Sequence, residues 1–323
     1  MTSRSSPGSI ARLGLGSISG SLCSRQLHIA QLHIAPYCCV HIAVVKAMWL
    51  RHTFTMQKLL IDAAEAYLAA LKLSPPGTPS IVVPDSVPIL YFGDSCKYFE
   101  SKLKILTVGK NPSGHEFPAV NPLLRFPAAR SWNPSICTRS NTANLKTALD
   151  EYFKKNPYNN WFMNFETALR GFDASYYAGE FTNTALHTDL LSPVATNPIW
   201  TGLLNAHPMA AKALSTCGMT LWSDLIEKLQ PDIILFSFGG NYLHSKGRSL
   251  IPLSGVAPWP WPTRFVFSSK PKVPITSCPV KLKGGKAVHL VFAPAGVKPL
   301  QMFTSLQIPL IVKGLKRQLL PYW

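Results

Sequence analysis

Four short apolar runs constrain this chain most: KILTVG at 104–109, FTNTAL at 181–186, DIILFSFG at 232–239 and HLVFA at 289–293. Runs of that length suit strands covered on both faces. Helical stretches lie between and after them, at 141–155, at 221–229 before Pro231, and at 305–320. At 56–73, MQKLLIDAAEAYLAALKL sets Leu59, Leu60, Ala63, Ala66, Tyr67, Ala70 and Leu71 along one side at helical spacing. Strands alternating with helices predict an α/β fold, a three-layer α/β/α sandwich around a central, mostly parallel four-stranded sheet. Residues 74–88, with five prolines and one glycine, predict an extended connection over the surface.

The 323 residues are 47% apolar and 15% charged, enough to fill one large core. Residues 1–61 carry six lysines and arginines, no Asp or Glu, and a tandem LHIA repeat. We read 1–55 as an extension outside the fold, disordered, targeting or non-native, since the early serines and arginines resemble a transit peptide while the repeat resembles untranslated sequence. Met56 then stands as a natural start, and 56–323 as one domain with an insertion at about 245–286. The stretch 34–50 is broken by Pro36, His41 and Lys46, so no membrane span is expected. Seven cysteines without C-x-x-C spacing predict reduced thiols, no metal site and an intracellular, cytoplasmic protein; a genuine transit peptide would make it mitochondrial. No cofactor is expected.

The net charge is +17, and removing 1–61 leaves 26 basic against 15 acidic residues, still +11. A chain this basic meets a polyanion, either nucleic acid or an anionic membrane surface. In a parallel sheet the ligand lies beyond the carboxyl ends of the strands. After the first run comes Gly109-Lys110-Asn111-Pro112-Ser113-Gly114-His115-Glu116-Phe117, a tight turn that presents Asn111 and backbone N–H groups, although an ordinary strand-to-helix turn has the same composition. His115-Glu116 lacks a second His four residues on, which sets a zinc-protease site aside.

GKNPS after a first strand resembles the first motif of the uracil-DNA glycosylase superfamily, G-x-[DN]-P. The order continues. Arg125-Phe126-Pro127 lies where those enzymes carry an aromatic that stacks on the flipped base, and Thr182-Asn183-Thr184-Ala185-Leu186 resembles their strand ending in a base-reading Asn. Trp200 follows at similar spacing, and residues 221–247 resemble the helix, strand and glycine turn before the final motif. The resemblance spans roughly 104–320. Two departures matter. The last loop, Phe292-Ala293-Pro294-Ala295-Gly296-Val297-Lys298-Pro299, has no His for the departing base, leaving backbone donors, His115 or His187. In addition, Thr188-Asp189-Leu190 resembles the T-D-L element of the mismatch-specific branch if the register shifts by six, so Asn183 and Asp189 compete as base reader.

The resemblance implies a monofunctional DNA N-glycosylase of base excision repair, or of antiviral defence if the base is a bulky modified pyrimidine. Such an enzyme flips a deaminated or modified base out of DNA and leaves an abasic site. The rival is a non-catalytic DNA-binding protein on the same fold. Catalytic candidates are Asn111, which orients the attacking water, with His115, His187 and Asp189. Base-binding candidates are Phe126, Asn183 and Ser113. In the insertion, aromatics interleaved with basic residues suit DNA, and the DNA-binding candidates are Lys270, Lys272, Trp259 and Trp261, with Lys298 in the last loop. The expected partner is double- or single-stranded DNA, with no membrane, and the expected state is a monomer. Asn111, Asn183 and Phe126 should converge at one end of the sheet; Asn111 and Asn183 at opposite ends would sink the family reading.

Overall fold

Helix α1 (56–71) turns Leu59, Leu60, Ala63, Tyr67 and Ala70 inward, as its spacing predicts, while Leu71 remains exposed. The structure is a computed structural model and describes residues 56–320 apart from 75–76, 137, 178, 247, 266–273 and 296. All of these lie in one unit, Met48–Trp323. Next come α2 (Ser95–Glu100), β1 (Ile105–Gly109), α3 (Arg139–Asp150), α4 (Tyr152–Lys155) and α5 (Asn159–Gly171). Strands β2 (Ala174–Ser175), β3 (Asn183–Thr184) and β4 (Leu186–Asp189) precede α6 (Trp200–Ala206) and α7 (Pro208–Leu229). The last third holds β5 (Ile233–Phe236), β6 (His244–Ser245), β7 (Arg248–Ser249), β8 (Thr263–Phe265), β9 (Ile275–Lys281), β10 (Ala287–Phe292) and α8 (Gln307–Leu319).

The fold is mixed α/β, with a mostly parallel central sheet flanked by helices. The sheet has six strands rather than four, in the order β4-β1-β5-β10-β9-β8. β4, β1, β5 and β10 are parallel, whereas β9 and β8 add antiparallel strands drawn from the insertion. Alternation sends Thr107, Gly109, His187 and Asp189 to one face, and Val108 and Thr188 to the other. On the first face Phe162 and Phe165 of α5 pack against His187. On the second, Trp222 of α7 donates its indole N–H to the Thr188 hydroxyl at 3.1 Å and packs against Phe236.

Two sequence expectations are corrected. The second strand is Leu186–Asp189 and not 181–186, because Asn183 and Thr184 leave the main sheet to pair with Ala174 and Ser175. The proline-rich connection at 74–88 is extended, but Ile81, Val82, Val83 and Val87 are buried in the core, and Val82 bridges to Thr196. Among the described residues no helix is long and apolar enough to cross a membrane.

Candidate functional site

The loops that follow all four parallel strands enclose one cavity of about 280 Å³. Residues 110–116 after β1 supply one wall. Thr196 and 199–201 after β4, 237–239 after β5, and Ala295, Val297 and Lys298 after β10 supply the others. Phe92, Tyr158, Trp161, Phe162 and Trp200 give it aromatic walls. A small number of polar groups inside an apolar lining is the usual composition of a ligand site, and the volume is near the ~300 Å³ lower end for such pockets.

Asn111 sits in the first loop, where Leu191 N–H donates to the Lys110 carbonyl at 2.7 Å and ties the loop to the chain leaving β4. Its amide N–H groups donate to the Pro112 carbonyl at 3.1 Å and the Thr196 hydroxyl at 3.2 Å. Among the described residues no donor reaches its Oδ1, which is left to accept from a guest or a water. Ser113 caps the following turn, its hydroxyl accepting from His115 N–H at 3.1 Å. The exposed His115 ring stacks on Tyr158, with centroids 5.3 Å apart.

Asp189 lies at the end of β4, opposite Gly109, and lines the cavity floor. Burial raises its carboxyl well above the ordinary range; the charge of Glu116 adds to this and Lys110 opposes it. Glu116 is 3% exposed, and burial pushes its carboxyl up to about 7, against the Tyr152 hydroxyl that donates to it and the Arg125 guanidinium 3.9 Å away. His187 is buried, with Nδ1 2.7 Å from the Thr107 hydroxyl and Nε2 3.8 Å from Asp189 Oδ1. Burial lowers it to about 3, so at neutral pH it is an uncharged ring. The floor of the cavity therefore tends toward neutrality, and the cations belong to Lys110 and Lys298 on its walls. Lys298 Nζ is held 2.6 Å from the Asn160 side-chain oxygen.

Asn111, Ser113, His115, His187, Asp189 and Lys298 thus share one cavity. Asn183 does not. Its Oδ1 accepts from Leu103 N–H at 2.9 Å, ahead of β1, and its amide donates to the Asp173 carbonyl at 3.1 Å. Both contacts lie at the amino end of the sheet, opposite Asn111, so the expected convergence fails, and the family reading that rested on Asn111 and Asn183 together fails with it. Phe126 is also corrected as a stacking platform: it is fully buried, stacked between Phe117 and Tyr152 with centroids 5.3 Å from each. Trp261 is 2% exposed and packs on Phe236, which removes it from any DNA surface. Trp259 is half-buried, with one face stacked by His244 at 4.4 Å. Lys270 and Lys272 lie outside the described residues. In the last loop the N–H groups of Val297 and Lys298 both donate to Gln301 Oε1, so these two backbone donors are not free for a leaving group.

Sequence reasoning missed Glu116, Lys110 and the aromatic wall Tyr158-Trp161-Phe162. A carboxylate seven residues past a strand end, and the aromatic-dense YNNWF at 158–162, were the signals. Among the described residues no three His, Cys, Asp or Glu side chains gather as metal ligands. Comparison with protein families, with curated proteins and with solved structures finds no match.

Proposed function

We propose that this chain is a monofunctional DNA glycosylase on a three-layer α/β/α scaffold, hydrolysing the bond between sugar and base at a nucleotide flipped into the cavity. The observation that carries the reading is that Asn111, two residues past the end of β1, and Asp189, at the end of the adjacent parallel strand β4, line one cavity with aromatic walls. The proposal draws on the GKNPS loop and on the T-D-L register, with Asp189 in place of Asn183 as base reader.

A flipped base needs a flat apolar slot and hydrogen-bond partners for its edge. The aromatic walls supply the slot. Burial raises the Asp189 carboxyl above the ordinary range, and in its protonated form it offers one O–H donor and one carbonyl acceptor, the pattern that suits a pyrimidine edge. As the bond lengthens, the sugar gains oxocarbenium character and the base gains negative charge. Asn111 Oδ1, its amide nitrogen already tethered, is the group to orient the attacking water. With no His in the last loop, Lys110 and Lys298 are the cations to stabilise the departing base. The substrates this favours are uracil-like or modified pyrimidines in DNA, in repair or in antiviral defence.

The test is single-turnover cleavage of duplexes carrying uracil, a mismatched base or a hypermodified pyrimidine, scored as alkali-labile abasic sites. Wild type should cleave at least one of them, and Asn111→Ala should slow cleavage by roughly 10² or more with affinity intact, as losing a contact worth about 3 kcal/mol at the transition state does. DNA binding without cleavage of any substrate would replace the enzyme with a binding protein on the same fold.

A further inference from the structure

Asp232 is the last acidic residue of the chain; the 91 residues that follow hold twelve lysines and arginines and no Asp or Glu. Part of that charge lies on the chain that follows the cavity-lining residues 237–239. Lys110, which lines the cavity, lies 5.0 Å from the ring centroid of Tyr242, and the Tyr242 hydroxyl is 3.4 Å from that of Thr201, another lining residue. Two residues on, His244 stacks on Trp259, whose edge meets Phe292 at the end of β10. The hairpin of β6 and β7 then carries Lys246, at a left-handed φ of 48°, and Arg248. Both are exposed, and neither makes an ion pair among the described residues.

We propose that residues 240–246 and Arg248, with Lys110 and Trp259, form a track for the single strand of DNA that leaves the cavity mouth beside the extruded nucleotide. The inference rests on the glycosylase reading of the cavity and extends it to the flanking strand. The chemistry has two parts. Lys246 and Arg248, exposed and without an ion pair among the described residues, meet phosphates as cations on the β6–β7 hairpin. Tyr242, His244 and Trp259, each half-buried and braced by a neighbour, keep rigid ring surface beside them, and base stacking on such rings tolerates any sequence. The track also gives the insertion a role that the buried Trp261 cannot have.

The experiment is fluorescence anisotropy with labelled oligothymidylates of about 5 and about 15 nucleotides, spanning the usual single-strand site sizes. Wild type is compared over a salt series with the double variant Lys246→Gln, Arg248→Gln. On the longer strand the variant should lower the slope of log K against log salt by about 1.4, two contacts at about 0.7 each, which is about 25-fold in affinity at 0.1 M salt if the contribution vanishes near 1 M. On the short strand, held by the cavity alone, variant and wild type should agree.

Equal binding of both proteins at both lengths would overturn the track and leave the cavity reading standing. An equal loss at both lengths would also overturn it, since the charges would then act on any bound strand. A wild type that binds neither strand would remove the DNA reading and the track together. Thermal melting checks the fold, and if the double variant does not fold, Arg248→Gln alone should lower the slope by about 0.7.

Discussion

Asp189 Oδ1 fills the space that a Cβ on Gly109 would need: the two residues are register partners on neighbouring parallel strands, and any side chain at 109 would collide with the carboxyl. The glycine is there for close approach and not for a turn. Gly109→Ala should therefore push Asp189 aside and cost about 1–3 kcal/mol, the usual range for overpacking. Urea denaturation measures this, and an unchanged midpoint would show that Asp189 has room to move.

If Asp189 reads the base as a neutral acid, an amide should stand in for it. Asp189→Asn keeps one donor and one acceptor, so it should keep the wild-type order of base preference. Asp189→Ala should erode that preference by roughly 5- to 150-fold, the value of about 1–3 kcal/mol for a paired base-edge contact. Competing substrates under single-turnover conditions give the ratio directly. Asn and Ala variants with the same preference would remove Asp189 from base recognition.

Asn183→Ala should act on stability and leave substrate choice alone. It strips Leu103 N–H of its acceptor in a buried place, a loss of about 1–3 kcal/mol. Denaturation and the same competition assay test both halves, and a shifted base preference at full stability would return Asn183 to the site.

Glu116 predicts a pH signature. Burial keeps its carboxyl protonated to about pH 7 in the folded chain, while an exposed glutamate ionises near 4.5. Between those values the unfolded chain gives up a proton that the folded chain retains, so stability falls as pH rises through the window, by on the order of 3 kcal/mol in all. Glu116→Gln keeps an oxygen for the Tyr152 hydroxyl and should abolish that fall. Comparing variant with wild type isolates the effect from His187, whose lowered value costs stability as pH drops below the ordinary histidine range. A variant that parallels wild type from about pH 4.5 to 7.5 would contradict the assignment.

The strands legible in the sequence are the apolar ones. ILTVG and IILF announce β1 and β5 because every side chain is buried. LHTD of β4 is equally buried but reads as polar, because Thr107 satisfies His187 and Trp222 satisfies Thr188, partners that only the fold brings near. Hence the apolar pattern points to 181–186 instead of Leu186–Asp189, and draws Asn183 into the main sheet. β9 was hidden by Pro279, which a central strand excludes. β8 pairs only with 275–277, so on that side the proline stands past the end of its neighbour, where a missing N–H costs no ladder bond. The loop after β1 was legible because glycine and proline punctuate it. The far wall was not, since α5 lies remote in sequence and its aromatic residues pattern as core.

β4 is the outermost strand on its side of the sheet, yet its rim is closed. Phe92 N–H donates to the His187 carbonyl at 2.8 Å, and His187 N–H donates to the Phe92 carbonyl at 3.1 Å. An open edge there would be a template on which a foreign extended peptide, or the same strand of another copy, could dock by ladder pairing. With Phe92 already in that position, an invading strand would have to displace it before pairing beside the cavity. One aromatic residue thus serves both as a wall of the cavity and as a cap on the strand edge beside it.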